Sequence, residues 1–233
     1  MASKKQTSRR PTRRKAAIAD VQFETRSVKI EDLLLDPNNP RLQAAEHGSN
    51  QQQLLETMAA RFNLEDLAES IITSGWLNLD PIVGFRDKTT KITVLEGNRR
   101  VATIKLLLNP EEASPKRRSS WQLLSSKITA HLRAQISVLP VSVCDNRDAA
   151  SVLAYIGYRH VSGGMEWKPP EKAAYIAKLV EDYNWSYQEI AERLGSWPAH
   201  IEKHYVAHRL VMQAQEEELP GANQMRSQFG VLM

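Results

Sequence analysis

Cysteine is nearly missing from this chain: Cys144 is the one thiol in 233 residues. An internal disulfide is therefore excluded, as is any four-thiolate zinc site. Apolar runs long enough to cross a bilayer, roughly 18 residues, are missing as well, which excludes a membrane-spanning helix. Residues 1–19 lack the apolar stretch of a secretion signal, and the expected compartment is the reducing cytoplasm. No compact cluster of Asp, Glu and His suggests two-metal chemistry: Asp36, Asp80, Asp145 and Asp148 are scattered at turns, where Asp is common. No Ser-His-Asp or Cys-His spacing supports a nucleophile.

A basic body is missing too. The net charge is +4, but residues 1–20 hold Lys4, Lys5, Arg9, Arg10, Arg13, Arg14 and Lys15 against Asp20, which is 7 − 1 = +6. The rest of the chain is thus 4 − 6 = −2. The high isoelectric point belongs to an arm over 1–26, expected to be solvated and suited to phosphate contact without sequence readout. The remaining composition, 42% hydrophobic and 25% charged, is that of a folded globular chain.

Apolar periodicity then divides the chain. Strands are expected at Val28–Ile30, Pro81–Phe85, Lys91–Leu95 and Ile136–Cys144, the last on a sheet edge because it contains Pro140. Asp36–Arg41 is a turn, Asp87–Thr90 links two strands, and Ser114–Ser120 is a basic loop. Helices are expected over Gln51–Phe62, after an Asn63 N-cap and up to Gly75, and from the Gly97 turn to Pro110. From Ala149 the pattern is all helical: Ala149–Tyr158, a break at Gly163-Gly164, Glu171–Tyr183 and two further helices. The fold class is α+β: a mixed unit over 27–148, a helical unit over 149–212, and a polar tail over 213–233 that reads as a cut inside a longer protein or a loosely ordered end.

Two arrangements carry chemistry. A strand ending at Leu95, a glycine turn and a helix opening with Asn98, Arg99 and Arg100 converge amides and guanidinium groups on one point, an anion site. Arg159-His160, Gly163-Gly164 and Trp167 form a second binding element or a hinge. The other arrangement is a helix-turn-helix. Ser186-Tyr187-Gln188-Glu189 is a capping box, Gly195 permits the tight turn, and Ser196 caps a helix with Pro198 in its first turn. Ile201, Tyr205, His208 and Met212 are expected inward, with Ala199, His200, Lys203 and Ala207 outward, and His204 at the border. The His200, His204, His208 spacing drifts around the helix and is not read as a metal site.

The order of short motifs resembles the ParB/sulfiredoxin superfamily, and within it a ParB-like protein, over roughly residues 27–212. Val28-Lys29-Ile30-Glu31-Asp32-Leu33 resembles the opening strand and Asn39-Pro40-Arg41 the Pro-Arg turn. Leu67-Ala68-Glu69-Ser70-Ile71 with Gly75-Trp76-Leu77 and Pro81-Ile82 resembles the following stretch, and Gly97-Asn98-Arg99-Arg100 the family's Gly-Glu-Arg-Arg box. Pro170-Glu171-Lys172-Ala173 and the helix-turn-helix fall in family order.

The resemblance implies a nucleotide-binding unit, for CTP or ATP, with Arg41, Gly75, Trp76, Leu77, Gly97, Asn98, Arg99, Arg100 and Arg159 at the phosphates. It implies DNA as partner, contacted by Ser186, Tyr187, Gln188, Ser196, Ala199, His200, Lys203 and His204, and a homodimer or larger assembly without membrane contact. Partition, transcription control and phage or mobile-element biology all suit that reading. Two departures bear on catalysis. Asn98 replaces the box's Glu, and Tyr155-Ile156-Gly157-Tyr158-Arg159 retains only the Arg of the Glu-Asn-x-x-Arg box. The groups expected near a magnesium–triphosphate are thus missing, and no catalytic residue is assigned. Sulfiredoxin chemistry needs a cysteine where Asn98 stands, and Cys144 reads as core. The rival reading is an NTPase or nuclease using the same Gly97–Arg100 pocket. Removing residues 1–19 is expected to weaken DNA binding and flatten its salt dependence while sequence preference stays the same, because the arm contributes counterion release alone. A salt titration of the full and shortened chains checks this.

Overall fold

Alternation of apolar side chains along five short strands gives the chain a two-faced sheet, and each face has its own helical cover. In this computed structural model the described residues are 21–42, 50–86, 90–162, 167–222, 225 and 229–232. The basic arm to residue 20, Asp87-Lys88-Thr89, Gly163-Gly164 and much of the segment after residue 222 lie outside them. The fold class is α+β. Strands β1 (Glu24–Lys29), β2 (Leu33–Leu35), β3 (Ile82–Phe85), β4 (Ile92–Glu96) and β5 (Val138–Cys144) lie in the order β1-β5-β3-β4-β2. β1 runs antiparallel to β5 and β3 to β4, whereas β3–β5 and β2–β4 are parallel.

Helices α1 (Gln51–Arg61), α2 (Leu64–Ser74), α3 (Asn98–Leu108), α4 (Arg118–Ser126) and α5 (Ala130–Ser137) follow in this unit. They share a core with Ile82, Ile92, Val94, Leu139, Val141 and Val143 of the sheet. The alternate positions Val83, Leu95 and Cys144 join a second core with helices α6 (Ala150–Gly157), α7 (Pro169–Glu181), α8 (Tyr187–Leu194) and α9 (Pro198–Glu216). Burial raises the Cys144 thiol above its ordinary value and leaves it 2% exposed, as a core residue.

Several expectations are corrected here. β5 is an inner strand, not an edge. Pro140 is tolerated because it lies opposite Ser27 of β1, whereas pairing with β3 begins only at Val141, so the missing N–H faces no ladder on that side. β2 was not expected: Leu33-Leu34-Leu35 is too short to show a period and forms a strand by pairing with Ile92-Thr93-Val94. The basic loop ends at Arg117 and gives way to α4, whose Trp121 is fully buried. Asn63 precedes α2 as expected but does not cap it with its side chain; its backbone is left-handed (φ 46°). Ser196 is one residue too early to cap α9, whose N-cap is Trp197. Ala207, expected outward, is 1% exposed, because α9 meets α7 through the small pair Ala173 and Ala207.

Gly157 marks a close approach of α6 to α7 and α8. A Cβ there would lie 2.9 Å from Tyr175 Cε1 and 3.0 Å from Leu194. The Tyr175 ring cannot retreat easily, since it is 2% exposed and its hydroxyl donates to the Leu153 carbonyl at 2.6 Å. Alanine favours helix over glycine by about 1 kcal/mol, yet overpacking costs about 1–3 kcal/mol. Gly157→Ala is therefore expected to lose stability on balance, read as a lowered midpoint in urea unfolding.

Candidate anion and nucleic-acid sites

The first site begins with the backbone at the end of β4. Gly97 is the N-cap of α3 with φ 103°, a left-handed conformation that glycine accepts without strain. A Cβ there would press on Ile82 and Arg100 Nη2, both at 3.2 Å. With no side chain to cap it, α3 directs the amides of its first turn outward, the positive end of an 11-residue helix. Asn98 follows, but its side chain is occupied. Its Oδ1 accepts from the Asp36 amide at 2.9 Å and its Nδ2 donates to the Val94 carbonyl at 2.7 Å. Asn98 thus ties the Asp36–Arg41 turn to β4. Asp36 is itself held by Arg147, whose Nη2 lies 3.0 Å from Oδ2.

Arg99 and Arg100 diverge from the same turn. Arg99 Nη2 donates to the Asn63 carbonyl at 2.7 Å. Burial and the neighbouring Arg41 charge hold its guanidinium below the ordinary value, against the opposing pull of Asp66. Arg100 reaches the carbonyls of Asp80 and Pro81, the latter at 3.0 Å. Burial lowers it as well, with Glu96 and Asp80 opposing.

Arg159 and His160 arrive from the helical unit. They occupy a π-helical turn, Tyr158–Ser162, that continues α6. Arg159 Nη1 donates to Asp80 Oδ1 at 3.1 Å, and its Nε lies 3.8 Å from Glu96 Oε1. Burial pulls the Arg159 guanidinium down, but the Asp80 hydrogen bond and the nearby Tyr155 and Glu96 leave it raised overall. That same bond holds Asp80 below its usual value. His160 Nε2 sits 2.5 Å from Glu96 Oε2, and its ring stacks on Trp167 at 4.4 Å and 6°. Arg41 lies over the Phe62 ring at 4.2 Å and pairs with the buried Glu171 of α7 at 3.4 Å.

These residues line one cavity of about 530 Å³. Arg41, Gly97, Asn98, Arg99, Arg100 and Arg159 are on its wall, as is Asn39. Gly75, Trp76 and Leu77 are not: Trp76 packs against the core of the sheet unit and Leu77 is 61% exposed. Leu67, Asp80, Leu95 and Glu96 complete the wall. The adjacency of Glu96 to Gly97 and of Asp80 to β3 was the only sequence signal. His160 and Trp167, read separately as a second element, join the same wall. Among the described residues, buried N–H groups without a hydrogen-bond partner include Arg99 Nε, Arg159 Nε and Nη2, and Trp167 Nε1, all on residues of this cavity.

The second candidate site is the α8–α9 pair. The Ser186 hydroxyl accepts from the Glu189 amide at 3.2 Å and the Ser186 amide donates to Glu189 Oε2 at 2.9 Å, a reciprocal cap. Gly195 is left-handed (φ 65°). Ser186, Gln188, Ala199, His200 and Lys203 are exposed, and Tyr187 and Ser196 are half-buried. His204 turns partly inward, its Nδ1 2.8 Å from the His200 carbonyl. Among the described residues no group of three His, Cys, Asp or Glu is placed to hold a metal ion. No helix there is long and apolar enough to cross a membrane.

No family model matches this chain, and no curated protein does. Solved structures similar to it include two of the C-terminally truncated chromosome-partitioning protein ParB from Caulobacter crescentus. The one complexed to the centromeric parS site shares 17% identity, covers 88% of this chain and 84% of its own, and has a TM-score of 0.42. The one complexed with CTP-γ-S shares 18% identity, covers 89% of this chain and 92% of its own, and has a TM-score of 0.33.

Burial lowers the His204 imidazole below 6.5, with the Lys172 and His200 charges acting in the same direction and the His200 carbonyl opposing. The unfolded chain then binds the proton more readily than the folded one. Stability is complete above the unfolded value and falls as pH drops from about 6.5 toward the lower folded value. His204→Gln is expected to flatten that part of a stability-versus-pH profile measured by urea unfolding.

Proposed function

We propose that this chain is a ParB-like DNA-binding protein whose sheet unit, near residues 27–148, holds the phosphates of a nucleotide, CTP or ATP. In this reading the helical unit, near 149–212, places the helix after Gly195 in the major groove of DNA. The observation that carries the nucleotide part is the donor excess of the cavity. Four guanidinium groups face two carboxylates on its wall, with Glu171 paired to Arg41 as a third, and N–H groups of Arg99, Arg159 and Trp167 have no hydrogen-bond partner. Buried donors without acceptors are costly, and a ligand rich in anionic oxygens supplies the acceptors.

The chain's own residues divide the work. The uncapped amides of α3 and the Arg99 and Arg159 groups take phosphate oxygens. Gly97 allows the backbone to come close, and Asn98 holds the facing turn in place. Leu67, Leu95 and Trp167 leave an apolar wall for the sugar or base. Asp80 and Glu96 are engaged by Arg159 and His160, so these carboxylates do not form a ready cage for magnesium. The reading is accordingly binding, not turnover. For DNA, the small Ala199 permits close approach while His200 and Lys203 offer donors to base edges and phosphates.

Calorimetry with CTP, ATP and GTP tests the cavity. One nucleotide is expected to bind, and Arg99→Ala and Arg159→Ala are each expected to weaken it about ten-fold or more, the worth of a charge-assisted hydrogen bond. No binding at about millimolar nucleotide, together with weakened DNA binding in Arg100→Ala, would instead make the cavity a contact for the DNA backbone.

A further inference from the structure

Trp197 is the one exposed tryptophan of the five in this chain. It is 73% exposed, whereas Trp121 and Trp167 are buried and Trp76 and Trp185 are half-buried. An indole left in water forgoes the large gain that burying it would bring, so its surroundings are informative. Trp197 is the N-cap of α9, but caps it with its backbone alone: its carbonyl accepts from the His200 amide at 2.9 Å and the Ile201 amide at 3.1 Å. No described aromatic ring stacks on the indole. The turn that presents it is held in place. Gly195 is left-handed, and the Tyr158 ring backs it 3.6 Å from where a Cβ would sit. Pro198 follows at the first helical position with its φ already fixed.

The neighbours of the indole select its partner. Ser196, Ala199, His200 and Lys203 surround this end of α9 with small side chains and donors. The nearest exposed large apolar residue on α9 is Val206, roughly 13 Å along the axis. A protein interface core needs a contiguous apolar patch with little charge, whereas the indole and the 55% exposed Tyr158 ring behind Gly195 share this tip with the exposed charges of Glu202 and Lys203. A flat apolar ring at the start of the proposed DNA-reading helix, beside a lysine and a histidine, suits a polyanion that exposes isolated apolar groups. In the major groove of DNA that group is the C5-methyl of thymine.

We infer that Trp197 reads thymine: the Trp197-Pro198-Ala199 tip packs its apolar surface on a thymine C5-methyl while His200 and Lys203 hold adjacent acceptors. The inference rests on the DNA-binding reading above and adds to it a base preference and the residue that sets it. The contact is van der Waals in nature, so it responds to removal of one methyl group and little to salt.

The experiment enriches sites from a pool of duplexes with about 25 random base pairs, using the full chain. The enriched duplex is then made with deoxyuridine in place of thymidine, which removes only the C5-methyl. The substitution is expected to weaken binding of the parent chain about four-fold for each methyl contacted. Trp197→Ala is expected to bind both duplexes equally, at the weaker level, and Trp197→Phe to recover part of the difference. Tryptophan emission should also be quenched by the thymidine duplex in the parent and not in Trp197→Phe. The inference is overturned if Trp197→Ala keeps the parent's preference, or if the parent shows none. In that event, weakened binding in Lys203→Ala leaves DNA binding by α9 standing. Parent-like binding in Lys203→Ala and His200→Ala, or a pool that yields no enriched site, removes both.

Discussion

A carboxylate taken out of water needs cations or donors close by, and Glu96 at the end of β4 has them from three directions. His160 Nε2 is 2.5 Å away, Arg159 Nε 3.8 Å and Arg100 Nη2 4.0 Å. Glu96 is half-buried, and a hydrogen bond to such a charged group contributes about 1.5–3 kcal/mol, more than most single contacts. The consequence is geometric. His160 and Arg159 belong to the helical unit and Glu96 to the sheet, so satisfying one side chain sets the position of the π-helical turn against the mouth of the Gly97 turn. The cavity exists because these groups meet at its wall without filling it.

The remaining interactions of the seam follow from the same placement. Arg41 bridges to Glu171, the N3 residue of α7, and Arg159 bridges to Asp80 at the entry to β3. Apolar contacts reinforce them, since Val83, Leu95 and Cys144 turn away from the sheet's own core toward α6 and α7. The alternation of the strands therefore has a double use: one set of side chains builds the mixed unit and the other docks the helical one.

Within the helical unit, closeness is achieved by small residues. Gly157 lets α6 meet Tyr175 and Leu194, and Ala173 meets Ala207. Such contacts leave the first turns of α8 and α9 at the periphery, where Ser186, Gln188, Ala199, His200 and Lys203 are in water. The proposed anion site thus involves Arg159, His160 and Trp167, whereas the proposed DNA contacts are on α8 and α9.

Local rules carried a good part of this structure. The Ser186 capping box, the left-handed glycines at 75, 97 and 195, Pro198 in the first turn of α9, and the paired strands around residues 82–85 and 92–96 are properties of a few consecutive residues. They were legible because a cap or a turn needs only its neighbours in sequence. The strand end, glycine turn and helix start at Gly97–Arg100 were legible for the same reason. What a residue meets across space was not. Leu33–Leu35 becomes a strand only when β4 pairs with it, and Pro140 sits in an inner strand only because β3 begins one residue later. Ala207 faces inward only because α7 supplies Ala173. Asn98 and Arg99 adjoin in sequence, yet the amide is consumed by Asp36 and Val94 while the guanidinium keeps an unpartnered donor. The sequence by itself determined many of the caps, turns and helix starts and which charges the chain carries. Tertiary structure alone decided which of those charges share a cavity and which are already satisfied, because compensation of a buried charge depends on distance in space and not on spacing along the chain.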